Sequence, residues 1–389
     1  MKFCHILLPA VAAAFLLTCC NDNGNPPMLS LDSEGEIVWE GWTPATLVVG
    51  SDTLDARTHF RGGISSGYPK HSMALKLDER YPLCGLPADK DWILNANYID
   101  KTFMRHKLSY DLFRLMNPEK NRAPLCSYIQ LTINSEPAGL YVLMQKMDAS
   151  TLDIVKSDTS SVIFKEPPVF YDTCIIPQDT NNYYQQHFPK KHKEDRSQQA
   201  EAIVKFLKYS TDDVFRSQVA TLFDLDNIVD WHLLLLLTNN SDGLLKNFFL
   251  YKTDDKTPFR IAPWDYDHSY GRDSDNEYNM LTHNVDCNRS TLLRRLLEWD
   301  SYRQQLAHRW NNLRESGVIS EEAIGQMIDE NIKAIGDAVK ENEKIWPVDN
   351  EVYYDGNHFD EEVAIIRQFI RLNIARLDQM FDFTRKQNK

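Results

Sequence analysis

The chain has 389 residues, of which 42% are hydrophobic, 25% charged and 11% aromatic. This apolar content is enough for a large folded domain and excludes a wholly disordered chain. Lys and Arg number 43 against 56 Asp and Glu, which gives a net charge of −13. Such an acidic chain lacks the positive footprint that binds nucleic-acid phosphates, so we expect no nucleic-acid partner.

Residues 1–19 have the features of a bacterial lipoprotein signal peptide. Lys2 precedes an apolar run at 6–17, which is too short to span a bilayer and is followed by polar residues. The end of this run is similar to a lipobox, with Cys20 as the expected lipid acceptor and Cys19 as the second choice. An ordinary secretory signal is the alternative. Lipidation of Cys20 would anchor the chain to a membrane of the cell envelope, in the periplasm or at the cell surface.

The cysteines beyond the signal peptide allow two interpretations. Outside the cytoplasm they permit three disulfide pairings, which the sequence does not distinguish, and buried free thiols are the alternative. Their spacing does not fit a zinc site. These cysteines are Cys84, Cys126, Cys174 and Cys287.

After a predicted polar tether at 20–34, the first half of the chain is rich in predicted strands. Alternating or β-branched residues predict strands at 37–39, 46–49 and 72–77. Apolar residues at helical spacing predict one helix at 101–116. Strands at 127–133 and 140–144 flank turn residues and predict a β-hairpin.

The second half of the chain is predicted to be helical. It follows a segment at 150–197 that we expect to be irregular and whose charged cluster at 190–196 is typical of a solvated surface. The fold class is therefore α+β, with a β-rich N-terminal lobe, a mostly helical C-terminal lobe and a cleft between them. Helices are predicted at 200–207, 227–237, 289–313, 321–344 and 361–383.

Four polar residues flank a predicted hairpin formed by 248–251 and 260–262. Asp242 and Asn247 precede the hairpin, and Asp265 and Asp267 follow it, so that we expect the four side chains to meet. Their oxygen atoms suit Mg²⁺ or Mn²⁺ rather than zinc. Phosphoryl transfer uses such a set, with one Asp as proton acceptor and an Asn and a second Asp on the metal. The alternative is that Asp242 and Asp254 only shape turns and that Asp265 caps one.

Two further elements suit a phosphate-binding cleft. Lys76 shares one strand face with small residues, while the opposite face of that strand is apolar. Upstream, Arg61 begins a segment rich in Gly and Ser at 61–67 whose backbone could approach phosphates. An ordinary tight turn is the alternative interpretation of that segment.

Together these motifs resemble the CotH kinase family, whose members have an atypical protein-kinase-like, two-lobed fold. The resemblance extends from about residue 36 to residue 383 and keeps the order of the family motifs. The segments that carry it are 61–66, 70–77, 91–96 with Arg105, Gly139-Leu140-Tyr141, 242–247 and 264–267.

The resemblance implies a kinase domain at 35–385, with lobes at 35–150 and 198–385 and an insertion at 150–197. Its expected activity is transfer of the ATP γ-phosphoryl group to Ser or Thr of protein substrates with Mg²⁺ or Mn²⁺. A non-catalytic, adhesin-like surface protein is one alternative, and another metal-dependent phosphotransferase or phosphohydrolase is the second. The implied residues are Asp242 as catalytic base, Asn247, Asp265 and Asp267 on metal, and Lys76, Arg61 and Arg105 on the nucleotide.

Overall fold

The computed structural model describes residues 24–158, 160–173, 182–272, 284–348 and 356–383. The predicted signal peptide with Cys19 and Cys20 lies outside these ranges, as does Cys174. Within the described ranges, none of the helices combines the length and the apolar character that crossing a membrane requires. Cys126 and Cys287 are buried free thiols there.

The N-terminal strands form a closed barrel. Its order is β1-β2-β3-β4-β5-β7-β6, and β1 closes it by pairing in parallel with β6. All other neighbouring strands are antiparallel. The strands are β1 (Met28–Ser33), β2 (Thr43–Val49), β3 (Asp52–Arg61), β4 (Ser72–Tyr81), β5 (Asp89–Asn95), β6 (Cys126–Ile133) and β7 (Glu136–Gln145).

Alternation of apolar side chains accounts for the barrel wall. In β4, Met73, Leu75 and Leu77 are at most 1% exposed and face the barrel core, as the sequence predicts. The predicted hairpin is confirmed as β6 and β7. Its turn is tighter than expected, because Asn134 and Ser135 both have positive φ and complete a two-residue connection.

Two sequence predictions at the start of the barrel are wrong. The predicted tether at 20–34 contains β1, where Leu29 and Leu31 are fully buried and opposite strand β6. The predicted strand at 37–39 is a loop instead. Val38 and Trp39 of this loop are apolar but about 40% exposed. Their apolar character therefore does not indicate a buried strand here.

A second sheet has the order β11-β10-β8-β9. The predicted hairpin at its centre is confirmed, with Phe248 opposite Pro263. The segment at 150–197 is not irregular throughout, because it supplies β8 and β9 to this sheet and β8 pairs with β10. The strands are β8 (Val162–Lys165), β9 (Gln186–Phe188), β10 (Phe248–Lys252) and β11 (Arg260–Pro263).

The helices confirm the α+β class but differ in detail. The predicted helices at 289–313 and 321–344 are each broken in two, the second at Gly336, which has positive φ. The helix at 212–222 was not predicted, although Thr211 caps it. The helices are α1 (Arg105–Met116), α2 (Ser197–Tyr209), α3 (Asp212–Leu222), α4 (Leu225–Thr238), α5 (Thr291–Leu297), α6 (Asp300–Glu315), α7 (Glu321–Ile335), α8 (Ala338–Ile345) and α9 (Phe359–Met380).

The buried apolar residues form two clusters. One fills the barrel, and the other joins α1, the second sheet and the C-terminal helices. Helix α4 runs through the second cluster, where Leu233, Leu235 and Leu237 are fully buried. The loop that follows α4 therefore starts from a rigid position.

Candidate active site

The polar loop after α4 is shaped by buried amides. Asn239 ends the helix in the left-handed region, and the Oδ1 atom of Asn240 accepts a hydrogen bond of 2.8 Å from the backbone N–H of Gly243. Asp242 begins a short 3₁₀ turn, Asp242–Leu244, and 19% of its side chain is exposed. The loop thus presents Asp242 to solvent from a fixed backbone.

The β10–β11 hairpin brings Asn247 and Asp265 together, as the sequence predicts. The N–H of Trp264 donates to the carbonyl of Asn247 at 2.9 Å. The Nδ2 atom of Asn247 donates to the carbonyl of Asp265 at 3.2 Å, which leaves Oδ1 as the amide atom for a cation. Both residues have positive φ, which Asn and Asp tolerate better than most side chains.

Asp265, Asp267 and His106 form a cluster. One ligand atom of each lies within 4.8 Å of the others. Burial raises the pKa of the Asp265 carboxyl, and the nearby Asp267 carboxylate raises it further, although half of the Asp265 side-chain surface is exposed. A cation would relieve the repulsion between these carboxylates, and their oxygen atoms fit Mg²⁺ or Mn²⁺.

Helix α1 holds the backbone of this cluster through two pairs of side chains at i, i+4 spacing. Tyr110 accepts a hydrogen bond from the N–H of Asp265 at 3.0 Å, and His106 accepts one from the N–H of Tyr266 at 2.8 Å. Ser109 lies 3.2 Å from the hydroxyl of Tyr270. Arg105, one turn before Ser109, donates to the carbonyl of Ser269.

The hydrogen bond to His106 decides its role beside Asp265. Nδ1 of His106 accepts from the N–H of Tyr266, so the ring proton is on Nε2. Nε2 lies 3.7 Å from Oδ1 of Asp265, beyond hydrogen-bond distance but close enough to affect the charge of that carboxylate. A ring nitrogen that carries a proton cannot bind a metal, so His106 is suited to influence Asp265 electrostatically rather than to act as a metal ligand itself.

Arg105, predicted to contact nucleotide, lies in a buried ion-pair network. Its side chain is 1% exposed and pairs with Asp100 at 2.6 Å and with Glu362 of α9 at 2.9 Å. Arg272 also pairs with Glu362. The Nε atom of Arg105 donates to the carbonyl of Ser269 at 3.1 Å, so the structure connects Arg105 to the backbone of the loop at 264–272 and not to its open side.

Asp242 has a partner that the sequence did not single out. Nζ of Lys246 lies 3.0 Å from Oδ2 of Asp242. Burial opposes the charge on Lys246, yet its hydrogen bond to Asp242 and the negative charges of Asp242 and Asp265 raise its pKa. Lys246 therefore places a positive charge between the two acidic residues.

The predicted cations Arg61 and Lys76 are in different surroundings. The Arg61 guanidinium lies 5.9 Å from the Trp264 ring centre. Burial lowers the pKa of Arg61, while the charge of Asp265, the residue after Trp264, opposes that shift. Lys76 instead lies 3.7 Å from Asp91 on the neighbouring strand. The structure thus brings Arg61 to Trp264 and connects Lys76 to Asp91.

Comparison with known proteins agrees with this geometry. The chain matches the CotH kinase protein family over residues 58–377. It belongs to the CotH kinase family. Inner spore coat protein H of Bacillus subtilis (strain 168) is 24% identical over 265 residues, covering 67% of this chain and 71% of that protein. The Helicobacter pylori proinflammatory kinase CtkA aligns with 82% of this chain and 99% of its own, at 11% identity and a TM-score of 0.23, too low to establish a common fold.

This CotH-family chain is a kinase-like protein, and its site includes residues that motif matching missed. His106, Tyr110 and Lys246 all contact predicted site residues. The first two carry a signal, because they are polar side chains at i, i+4 spacing among the apolar residues of a helix face that is buried. Lys246 carries a weaker one, since it lies between Asp242 and Asn247 in sequence.

Proposed function

We propose that the protein transfers the γ-phosphoryl group of ATP to Ser or Thr hydroxyl groups of protein substrates, with Mg²⁺ or Mn²⁺. The observation that carries the proposal is that Asp265 lies close to Asp267 and is joined to Asn247 at one end of the β10–β11 hairpin. Lys246, which pairs with Asp242, also feels the charge of Asp265. Membership of the CotH kinase family supports it. In this proposal the barrel and the helical region correspond to the two lobes of a protein-kinase-like fold.

Each residue has a part in the proposed reaction. Asn247, Asp265 and Asp267 would hold the metal ion, which when bound neutralises the charge of the ATP phosphates. Asp242 accepts the proton of the substrate hydroxyl. The oxygen of that hydroxyl forms the new bond to the γ-phosphorus, and the bond between this phosphorus and ADP breaks. Lys246 occupies one carboxylate oxygen of Asp242 and leaves the other for that proton.

The cations around the cluster support nucleotide binding to different degrees. Arg61, whose guanidinium lies 5.9 Å from the ring centre of Trp264, would contact phosphates of a bound nucleotide. Lys76 remains a proposed phosphate contact on the barrel wall. Arg105 acts from behind, because its donors are directed at Asp100, Glu362 and a backbone carbonyl.

The test compares two Asp→Asn variants, one at Asp242 before the β10–β11 hairpin and one at Asp254 in its turn. Asp242→Asn keeps the side-chain shape but removes the proton acceptor, so we expect phosphoryl transfer to fall about 10²-fold or more while nucleotide affinity changes little. Asp254→Asn is the control. Asp254 shapes the β10–β11 turn by accepting hydrogen bonds from two backbone N–H groups, and Asn tolerates that role.

The assay is incubation with labelled ATP, Mg²⁺ or Mn²⁺ and a mixed protein acceptor. Equal transfer by both variants and the parent would remove Asp242 from the mechanism. Release of free phosphate without labelled protein would indicate a phosphohydrolase. Absence of both nucleotide binding and transfer would favour the adhesin-like alternative.

The proposal extends to the location of the protein. The lipobox-like sequence at 17–20 supports lipidation of Cys20 and attachment to a membrane of the cell envelope. We expect Cys20→Ser to release the protein from the membrane fraction and to lower its mass by that of the lipid. A mutant that stays in the membrane with unchanged mass would contradict this, and Cys19→Ser tests the second acceptor.

A further inference from the structure

A buried lysine outside the site joins the barrel to the helical region. Lys70 lies between β3 and β4 and is 2% exposed. Its Nζ atom donates to the carbonyl of Ala96 at 2.9 Å, to the carbonyl of Leu140 and to Oδ1 of Asn342 in α8 at 2.9 Å. Lys70 therefore connects two barrel segments with a helix far along the chain.

The contacts of Lys70 require a charged side chain. Burial acts to lower the pKa of Lys70, and no charged neighbour in the described residues contributes to that shift. Three oxygen atoms nevertheless accept from Nζ, and only an ammonium group has three N–H bonds to donate. The rings of Phe103 and Tyr141, centred 5.0 and 4.4 Å from Nζ, stabilise the positive charge further.

The Gly139-Leu140-Tyr141 motif forms the rest of this enclosure. Gly139 has a φ of +94°, and a Cβ atom there would lie 2.5 Å from Oδ1 of Asn342, so that glycine permits the approach of α8. The N–H of Leu140 donates to the same Oδ1 at 3.1 Å. Tyr141 supplies the ring below Nζ, and its hydroxyl donates to the carbonyl of His71 at 3.2 Å.

The segment before Lys70 leads to the candidate active site. The guanidinium of Arg61 at its start lies 5.9 Å from the ring centre of Trp264, the residue before Asp265. Tyr68 near its end stacks on Tyr98 with 5.4 Å between the ring centres, and burial, with a smaller effect from the charge of Asp267, raises the pKa of Tyr68. A displacement of Lys70 would move both side chains relative to the acidic pair.

We propose that Lys70 is a positioning residue whose buried ammonium fastens the segment at 61–69 to α8 and so holds Arg61 against Trp264, the residue that precedes Asp265, and Tyr68 against Tyr98. This role depends on where Asp265 and Asp267 lie and not on whether the protein catalyses phosphoryl transfer. Neither Lys70 nor the Gly139-Leu140-Tyr141 motif takes part in the proposed reaction.

Two substitutions of Asn342 separate a charged from a neutral lysine. Asn342→Asp keeps the oxygen that accepts from Lys70 and Leu140 and gives the ammonium a negative partner. Asn342→Leu has similar volume and removes the acceptor. We expect the Asp variant to melt at or above the parent temperature and the Leu variant to melt below it. The opposite order would overturn the proposal, because a buried carboxylate beside a neutral amine is destabilising.

Amide hydrogen exchange tests whether the ammonium positions the segment. In Asn342→Leu we expect exchange at 61–69 to rise about tenfold or more, while exchange in β1 and β2 stays at the parent rate. The Asp variant should restore protection at 61–69. A uniform rise over the whole barrel would show a merely structural role and overturn the proposal. Lys70→Met should reproduce the Leu variant where it folds.

Calorimetric titration with Mg²⁺–ATP connects this result to the proposed function. We expect weaker binding in Asn342→Leu and parent affinity in Asn342→Asp. If the parent itself binds no nucleotide, the proposed kinase activity is wrong, whereas the exchange pattern at 61–69 still decides the role of Lys70. The two failures are therefore distinguishable.

Discussion

The barrel and the loop at 264–272 are held in place by opposite kinds of interaction. The barrel closes around apolar side chains such as Leu29, Leu47 and Leu75, which are at most 1% exposed. The loop is held by hydrogen bonds in which side chains of α1 satisfy its backbone groups one by one. Burial of apolar area is not directional, whereas each of these hydrogen bonds fixes one atom.

This difference separates the stability of the protein from the geometry of its site. Cores tolerate volume-conserving apolar substitutions, because shape complementarity can be restored by small shifts. A buried N–H that loses its acceptor has no such remedy. We therefore expect barrel variants to change stability without changing the site, and α1 variants to change the site.

The largest expected effect is at the buried ion pairs. Arg105→Met leaves Asp100 and Glu362 buried without their shared cation, so we expect the free energy of unfolding to fall by about 3–5 kcal/mol. Arg57→Met is the control in the barrel. Arg57 and Asp78 form an exposed pair, and its loss should cost at most about 1 kcal/mol. Chemical denaturation measures both, and equal costs would contradict the comparison.

A cavity in the barrel should cost somewhat less. Leu75→Ala removes a side chain that is 1% exposed, and we expect a loss of about 2–5 kcal/mol. Leu75→Met keeps the volume and should cost less than about 1.5 kcal/mol. Both folded variants should bind Mn²⁺ like the parent. A drop in metal affinity in Leu75→Ala would show that barrel packing reaches the site.

Acid should lower the free energy of unfolding through the ion pairs that Arg105 forms with Asp100 and Glu362. Burial alone would raise the pKa values of Asp100 and Glu362, but Arg105 pairs with both and their folded pKa values are lowered. Stability from a lowered carboxyl pKa is present above the unfolded pKa, about 4, and is lost as pH falls through the folded value.

The Arg105→Met variant shows whether this loss of stability in acid belongs to the pairs. Without Arg105, that cation no longer opposes the effect of burial on the pKa values of Asp100 and Glu362. The two carboxyl groups then take up protons more readily in the folded state. We therefore expect a flatter fall in the free energy of unfolding between about pH 5 and pH 3 than in the parent. Equally steep profiles would assign the acid sensitivity to other carboxylates.

The parts of the fold that the sequence predicted are those set by local pattern. Strand β4, the β6–β7 hairpin and the approach of Asn247 to Asp265 at the β10–β11 hairpin depend on neighbours close in sequence. Barrel closure was missed because β1 pairs in parallel with β6, about a hundred residues away. His106 and Tyr110 were missed for the same reason, since each bonds to a residue more than 150 positions along the chain.

The smallest expected effect concerns the two ring nitrogens of His106, which have separate tasks. Nδ1 accepts a hydrogen bond from the N–H of Tyr266, and Nε2, which carries the ring proton, lies 3.7 Å from Oδ1 of Asp265. The Oδ1 atom of Asn can replace Nδ1, and the Nε2 atom of Gln can replace the donor. His106→Asn should therefore preserve the loop backbone and lose the contact to Asp265, whereas His106→Gln should do the reverse.

Metal titration and unfolding measured on both variants separate these tasks. We expect His106→Asn to weaken Mn²⁺ binding about tenfold with little change in stability, as removal of a partner behind a metal ligand does elsewhere. His106→Gln leaves the buried N–H of Tyr266 without its acceptor and should cost about 1–3 kcal/mol in stability while the contact to Asp265 is kept. Stronger loss of metal binding in His106→Gln would mean that the backbone of the loop, and not the orientation of the Asp265 carboxylate, limits affinity. Equal and severe loss of metal in both variants, without loss of stability, would instead make His106 a direct ligand and contradict the assignment of its proton.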